Sequence, residues 1–231
     1  MDWFDTSVGL SLLREEDCQV RMALDDIFGD QFLQIGTWGR RSFREHSRTR
    51  RAAVVGESAA DGVDFLSSLD VLAVADDAID VAVLPHVLET HDDPIGVLRE
   101  VDRILRSDGR IVILGFNPVS LWGLRHWLSR RQFPTGIRRM ISEHRLRDWL
   151  RLLNFSVDHS SFQFFQSPMF RPAPSRRATG RPTWRRFAPF AGVYMLVARK
   201  ELYTVTPIMP VWTRRRRMVG SLVNPTTRNA A

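Results

Sequence analysis

Between Ile79 and Phe116 two apolar runs flank one amphipathic stretch, and few folds accept that order. The first run, IDVAVLPHVLE (79–89), reads as a strand. DDP at 92–94 supplies an acid suited to cap a helix and Pro94 for its first turn, after which Ile95, Leu98, Val101 and Leu105 line one face. SDG at 107–109 stops that helix, and RIVILGF follows as a short, continuously apolar run of the kind covered on both faces. Strand, helix, strand implies an open α/β sheet of mostly parallel strands, with a ligand beyond the carboxyl ends where the strand order reverses.

The flanking segments extend this pattern. Residues 7–28, SVGLSLLREEDCQVRMALDDIF, place Leu12, Leu13, Val20, Leu24, Ile27 and Phe28 at mostly helical spacing, with Gly29 as a left-handed cap. QFLQIG then reads as a first strand, AAVVGES (52–58) as a second, and Leu72 to Val74 as a third. Between the first two, RRSFREHSRTRR offers only Phe43 as an apolar anchor, so the link is expected to be irregular rather than helical. SEHRLRDWLRLL (142–153) starts at a Ser142 cap and aligns Leu146, Trp149, Leu150 and Leu153; FSVDHSSFQFF alternates as a strand, and AGVYMLVARK (191–200) is the last strand. The expected organisation is a helical extension over 1–29, one domain over 30–200, and a basic tail over 201–231. The domain carries a Trp- and Arg-rich insertion at 117–141 and a Pro/Arg-rich loop at 167–189.

Composition narrows the class. A chain of 231 residues, 44% hydrophobic, can bury one sizeable core. The opening MDWFDTSVGL lacks the basic start of a secretory signal and no later run is long enough to span a bilayer, so a soluble, cytoplasmic protein is expected. The one cysteine, Cys18, forms no intrachain disulfide and reads as a small buried residue on the first helix. The net charge of +7 is concentrated: residues 163–190 hold six arginines and no acid, and residues 201–231 hold five arginines against Glu201. Both segments could meet phosphate, an anionic membrane surface or an acidic partner, or could simply be solvated.

Residues 71–117, VLAVADDAIDVAVLPHVLETHDDPIGVLREVDRILRSDGRIVILGFN, resemble the middle of class I S-adenosylmethionine-dependent methyltransferases of the type 11 group, in a bacterial branch. That group reads FDVV, a histidine or similar before VLEH, a helix, then RVLKPGG and a strand. Ile79 to Val83 answer the strand, His86 to Glu89 the VLE segment, and Arg103 to Gly109 the RVLKPGG turn. HRLRDWLRLLNFSV and GVYMLVARK resemble the group's last helix and final strand. The resemblance implies a Rossmann-like, seven-stranded, mostly parallel sheet with helices on both faces, its last strand antiparallel. It also implies S-adenosylmethionine as cofactor and methyl transfer to an acceptor. The competing expectation is a non-catalytic protein of the same fold that binds nucleic acid, an anionic membrane surface or a protein through its arginine-rich segments.

The cofactor residues follow from the resemblance. The family's loop runs from apolar residues to an acid and then G-x-G, whereas LQIGTWG (33–39) puts Gln34 in the acid's place, Gly36 at the first glycine, Trp38 at the second and Gly39 one residue later. With Thr37 these residues would line the methionine portion of the ligand. Gln34 could hold its ammonium through the amide oxygen, but without an opposite charge, which predicts weaker binding. The Trp38 indole either packs aside as a wall or fills the ligand's space. Glu57 matches the acid that accepts from the ribose hydroxyls, while Ser68 and Leu69 fall beside the adenine. Leu84, Pro85 and His86 follow strand four, where the family lines its transfer site, and His86 is the catalytic candidate as a general base, a lid contact or a strand-end cap. HVLETH suggests metal only superficially, its histidines being five apart instead of four. Trp122, Trp127 and Phe133, with Asn117 at their root, could close over a substrate or pack as an added helix.

Overall fold

The computed structural model describes residues 3–39, 42–59, 62–129, 133–134, 136–164 and 191–201. The expected basic loop at 167–189 and residues 202–231 of the expected tail lie outside them. Seven strands form one sheet: β1 (Phe28–Ile35), β2 (Arg48–Gly56), β3 (Phe65–Leu66), β4 (Ile79–Pro85), β5 (Leu105–Phe116), β6 (Phe155–Gln163) and β7 (Val193–Lys200). Their order is β3-β2-β1-β4-β5-β7-β6. Pairings from β3 through β5 are parallel, and β7 runs antiparallel to both β5 and β6. The order reverses between β1 and β4, which opens a crevice beyond their carboxyl ends.

Five α-helices accompany the sheet: α1 (Ser7–Leu24), α2 (Val87–Thr90), α3 (Pro94–Ile104), α4 (Leu121–Leu128) and α5 (Glu143–Leu152). Alternation along each strand sends side chains to opposite faces. Leu33, Ile35, Ala82, Leu84, Ile111 and Ile113 pack with α3 and α5, whereas Phe32, Val81, Val83, Val112 and Leu114 pack with Val20 and Leu24 of α1. The first helix is therefore one of the sheet's two covers. A third apolar cluster, containing Leu12, Leu13, Trp38, Phe116 and Trp122, lies at the carboxyl end.

Several sequence expectations need correction. The first helix stops at Leu24, and Gly29 is not its cap but a member of β1. A Cβ at Gly29 would stand 2.7 Å from the Asp80 Cβ. That closeness lets the Asp80 carboxylate accept from the Asp30 and Gln31 amides, both at 2.8 Å. Phe28 is exposed instead of packed, and Cys18 is exposed rather than buried. Leu72 to Val74 form no strand, because side chains of α3 take their backbone groups. The Leu72 amide donates to Glu100 (2.7 Å), and Arg103 donates to the Leu72 and Val74 carbonyls (3.1 and 2.9 Å). The buried face of α3 runs through Val97, Leu98, Val101 and Ile104, with Ile95 left exposed. SDG does not separate α3 from a later strand. β5 starts at Leu105, and the ladder to β4 shifts register between Ile79 and Val81 to absorb the turn. Among its described residues the link from β1 to β2 contains one 3-10 turn, Arg44–His46, anchored by buried Phe43, as the poverty of apolar residues there predicts.

Asp93 caps α3, its carboxylate accepting from the Ile95 and Gly96 amides at 3.1 and 3.0 Å. Leu98, one turn on, is 1% exposed. Asp93→Ala should cost about 1 kcal/mol and Leu98→Ala about 2–5 kcal/mol in urea unfolding. Equal losses from the two would contradict a helix held mainly by its packed face.

Candidate functional site

Gln34 lies in the buried part of β1 with no exposed surface. Its amide nitrogen donates to the Gly36 carbonyl (3.1 Å) and its oxygen accepts from the Phe43 amide (2.7 Å), so the side chain pins the loop it precedes. Gly36 turns at φ +74 and donates its amide to the Val55 carbonyl at 2.7 Å. A Cβ on it would meet a Val87 methyl at 2.6 Å, and one on Gly39, at φ +56, would meet Leu13 and Phe4 at 2.8 and 2.9 Å. The space that each glycine vacates is thus taken by the chain's own side chains. Thr37 is exposed at the loop's tip, and the Trp38 indole turns inward, 4% exposed.

The end of β4 is built around His86, which leaves the strand in the left-handed region (φ 56) and starts α2. Its ring is fully buried. Nδ1 lies 2.9 Å from Glu89 Oε2, and Nε2 lies 2.8 Å from Glu16 Oε1, an acid contributed by α1. Glu89 also accepts from the Phe116 amide at 2.9 and 3.1 Å. Burial alone favours a neutral imidazole, but the pull of Glu16 and then Glu89 outweighs it and lifts the His86 pKa to about 9. Burial raises Glu89 against the opposing effect of His86 and the Phe116 and Ile141 amides. With a carboxylate at each ring nitrogen, the geometry favours the charged imidazolium over a free base.

Aromatic rings enclose the imidazole. Trp38 and Phe116 each have their centroid 4.4 Å from that of His86 and meet each other edge-on at 5.9 Å, so they cover adjoining parts of the ring. The pile continues from Phe116 to Trp122 (5.8 Å) and from Trp122 to Phe133 (5.4 Å). Phe4 meets Trp38 edge-on at 4.8 Å, and Trp3 meets Trp122 at 5.9 Å. The 3-10 turn Trp3–Asp5 thereby closes the carboxyl end of the sheet. Among the described residues three buried polar atoms lack a hydrogen-bond partner: the Trp38 indole nitrogen, a donor, Glu16 Oε2, an acceptor, and the Ser42 hydroxyl.

The remaining expected site residues divide. Glu57 is half exposed at the end of β2, its carboxylate 3.5 Å from His91 Nε2. Ser68 is exposed and donates to Asp70, which holds that carboxyl below the usual range. Leu69 is buried with a methyl near Gly36, whereas the Leu84 side chain points into the core shared with α3. The two histidines of HVLETH face apart, His86 toward Glu16 and His91 toward Glu57. In the insertion Trp122 is buried and Phe133 half-buried, but Trp127 is 80% exposed. Asn117 anchors its root by donating to the Ala191 carbonyl (3.0 Å) and accepting from the Val119 amide (3.1 Å).

Sequence reasoning misses Glu16 as a site residue. The available signal is its place at every fourth residue with Leu12, Val20 and Leu24, which puts an acid on the apolar face of α1.

A family profile described as a methyltransferase domain matches residues 10–160. The chain belongs to that family, the class I S-adenosylmethionine-dependent methyltransferases. The protein YafS of Escherichia coli (strain K12) is 37% identical over 137 residues, which cover 58% of this chain and 54% of that protein, so the match spans about half of the relative's length. Among solved structures, an S-adenosylmethionine-dependent methyltransferase from Archaeoglobus fulgidus superposes with TM-score 0.59 at 15% identity, covering 82% of this chain and 94% of the other. One from Thermotoga maritima, described as a possible histamine N-methyltransferase, gives 0.58 at 20% identity over 80% and 88%. The 4+2 cyclase SpnF gives 0.55 at 15% identity over 81% and 80%, so the likeness speaks for the fold and leaves the reaction open. No helix among the described residues is long and apolar enough to cross a membrane.

The His86 cluster makes a pH prediction. A histidine whose folded pKa of about 9 exceeds its ordinary 6.5 adds stability that is complete below pH 6.5 and is lost as pH rises through 9. Urea midpoints should fall over that window by the equivalent of a few kcal/mol, since each tenfold gain in proton affinity on folding is worth about 1.4 kcal/mol. In Glu16→Gln the fall should begin at lower pH; an unchanged profile would dissociate Glu16 from the titration.

Proposed function

We propose that the protein transfers a methyl group from S-adenosylmethionine, and that its ligand seat is closed in this structure by Trp38 and the Trp3–Asp5 turn. The observation that carries the proposal is that Trp38 Nε1 and Glu16 Oε2, on two side chains that both adjoin the His86 ring, are buried without a partner. A buried donor or acceptor left without a partner costs about 1–3 kcal/mol, so a ligand offering the complementary groups would recover that cost. An amino-acid end does so, its ammonium toward Glu16 and its carboxylate toward the indole N–H. The acid missing at position 34 is then supplied from α1.

The chemistry of the seat fits the methionine portion of the cofactor, while its room does not until the turn lifts. Trp3 and Phe4 are held by ring contacts and belong to no strand, which makes them separable from the sheet. The exposed Glu57 would accept from ribose hydroxyls. When bound, the cofactor supplies an already electrophilic methyl, so the protein's task is to hold an acceptor in line and exclude water. His86, kept charged by two carboxylates, acts as a positioning residue beneath that site. The acceptor is proposed to reach it beneath α4, whose inner face covers Phe116 through Trp122.

A second reading, a non-catalytic relative acting through its arginine-rich segments, is favoured by one observation: the loop glycines are filled by Val87, Leu13 and Phe4. Calorimetry with S-adenosylhomocysteine separates the two. Phe4→Ala should bind several-fold more tightly than the natural chain, and Glu16→Gln about tenfold or more weakly, as for loss of a charge-assisted contact. Glu15→Gln, beside it on α1, should leave affinity unchanged. Absence of heat at saturating ligand in both the natural chain and Phe4→Ala would leave the non-catalytic reading standing.

A further inference from the structure

The outer face of α4 is not explained by methyl transfer. The helix, LWGLRHWL, is apolar almost all round, a composition usual for a buried helix, yet only Trp122 and Gly123 are buried. Leu121, Leu124, Trp127 and Leu128 are 49%, 51%, 80% and 66% exposed, and Val119 just before them is 71% exposed. Spacing of three, four and seven residues places the four helix positions on one side. Beside them a shallow groove of about 620 Å³ is lined by Pro118, Val119, Leu121, Leu124, Trp127 and Met140. A contiguous apolar surface of this kind on a water-facing helix marks a contact with something else.

Charge selects the occupant. Residues 117–141 contain Arg125, Arg130, Arg131, Arg138 and Arg139 and no acid. Arg125 sits over the Phe133 ring at 4.0 Å, and Arg138 pairs with Asp92. A second copy of the chain would bring the same acid-free, arginine-rich segment against this one. The chain's own remaining segments are no better matched, since 163–190 carries six arginines without an acid and 201–231 five against one. Leucines at the centre offer nothing to a nucleic-acid backbone. Exposed Trp and Leu in a segment that also carries Arg125, Arg138 and Arg139 instead match the headgroup boundary of a bilayer, where indoles settle at interfacial depth, leucines reach the acyl chains and arginines meet anionic lipid.

We propose that the outer face of α4, centred on Trp127 and Leu128, is an interfacial membrane-binding surface for bilayers containing anionic lipid. The same short helix then joins two environments, with Trp122 stacked over Phe116 inside and Trp127 in the lipid outside.

The test is co-sedimentation of the full chain with vesicles of phosphatidylglycerol and phosphatidylcholine in equal parts, against pure phosphatidylcholine. Partitioning should be at least about tenfold stronger on the anionic vesicles, and Trp127→Ser/Leu128→Ser should lower it about tenfold with an unchanged circular dichroism spectrum. Both side chains are exposed, so the double variant retains its core. A second probe is Leu128→Cys in a Cys18→Ser background, labelled with a polarity-sensitive dye, whose emission should shift to the blue on anionic vesicles. Three results would overturn the proposal: no vesicle binding by the natural chain, equal binding by the double variant, or a dimer in solution that the double variant dissolves. Binding is read without cofactor or acceptor, so failure of methyl transfer would leave this result intact.

Discussion

The contact on which the rest of the site depends is the buried line of Glu16, His86 and Glu89. It joins three parts distant in sequence: α1, the end of β4 and, through the Phe116 amide, the end of β5. Removing one member of such a buried pair leaves an uncompensated charge, which typically costs about 3–5 kcal/mol. The line therefore dictates where α1 lies along the sheet, and with it where Leu13 and the Trp3–Asp5 turn meet the loop after β1. Closure of the seat follows from that placement, because the turn is continuous with a helix already tied down beneath it.

This explains how a loop that departs from its family's pattern is accommodated. An acid at position 34 would lie beside the Gly36 carbonyl, where Gln34 donates a hydrogen bond that a carboxylate could not. The amide is thus suited to bracing the loop from within. The acid near the seat comes from α1 instead, on the other side of the same crevice, and retains one unpaired oxygen. Trp38 fits the same logic. Its ring completes the cover over His86, and the only polar atom it carries is left without a partner. A seat satisfied purely by packing would have been better served by Phe, which has no donor to strand.

The sheet is legible in the sequence because its signals are local. IDVAVLP, the DDP cap and RIVILGF each announce their state within a few residues, and the structure has strands and a helix there. The failures are tertiary. Leu72 to Val74 resemble a strand because apolar runs do not reveal that Glu100 and Arg103 will claim their backbone groups. Gly29 resembles a helix cap because sequence does not show Asp80 pressed against it. At the site, the turn after β4 and His86 can be found by resemblance, but Glu16 cannot, since its partner is 70 positions away. Its only trace is an acid in an apolar row, which as readily signals a frayed amphipathic pattern.

The third apolar cluster bears on how access to the site is divided. Trp122 belongs to it and stacks on Phe116, while Gly123 beside it leaves no room for a side chain, a Cβ there falling 1.9 Å from the Pro118 carbonyl oxygen. The inward face of α4 is thus held by one large ring, which lies so close to Gly192 that a Cβ there would stand 2.7 Å from it. The opposite boundary is the Trp3–Asp5 turn, held by ring contacts, by Thr6 donating to the Trp3 carbonyl, and by a close approach to Gly9 of α1, where a Cβ would stand 2.5 Å from that carbonyl oxygen. Of the two walls, the turn is much the cheaper to displace, because moving it exposes two half-buried aromatics, whereas moving α4 unstacks a fully buried tryptophan from the core. A ligand taking the place of the Trp3–Asp5 turn beside the Trp38 indole would accordingly enter from the N-terminal side, leaving the α4 side fixed.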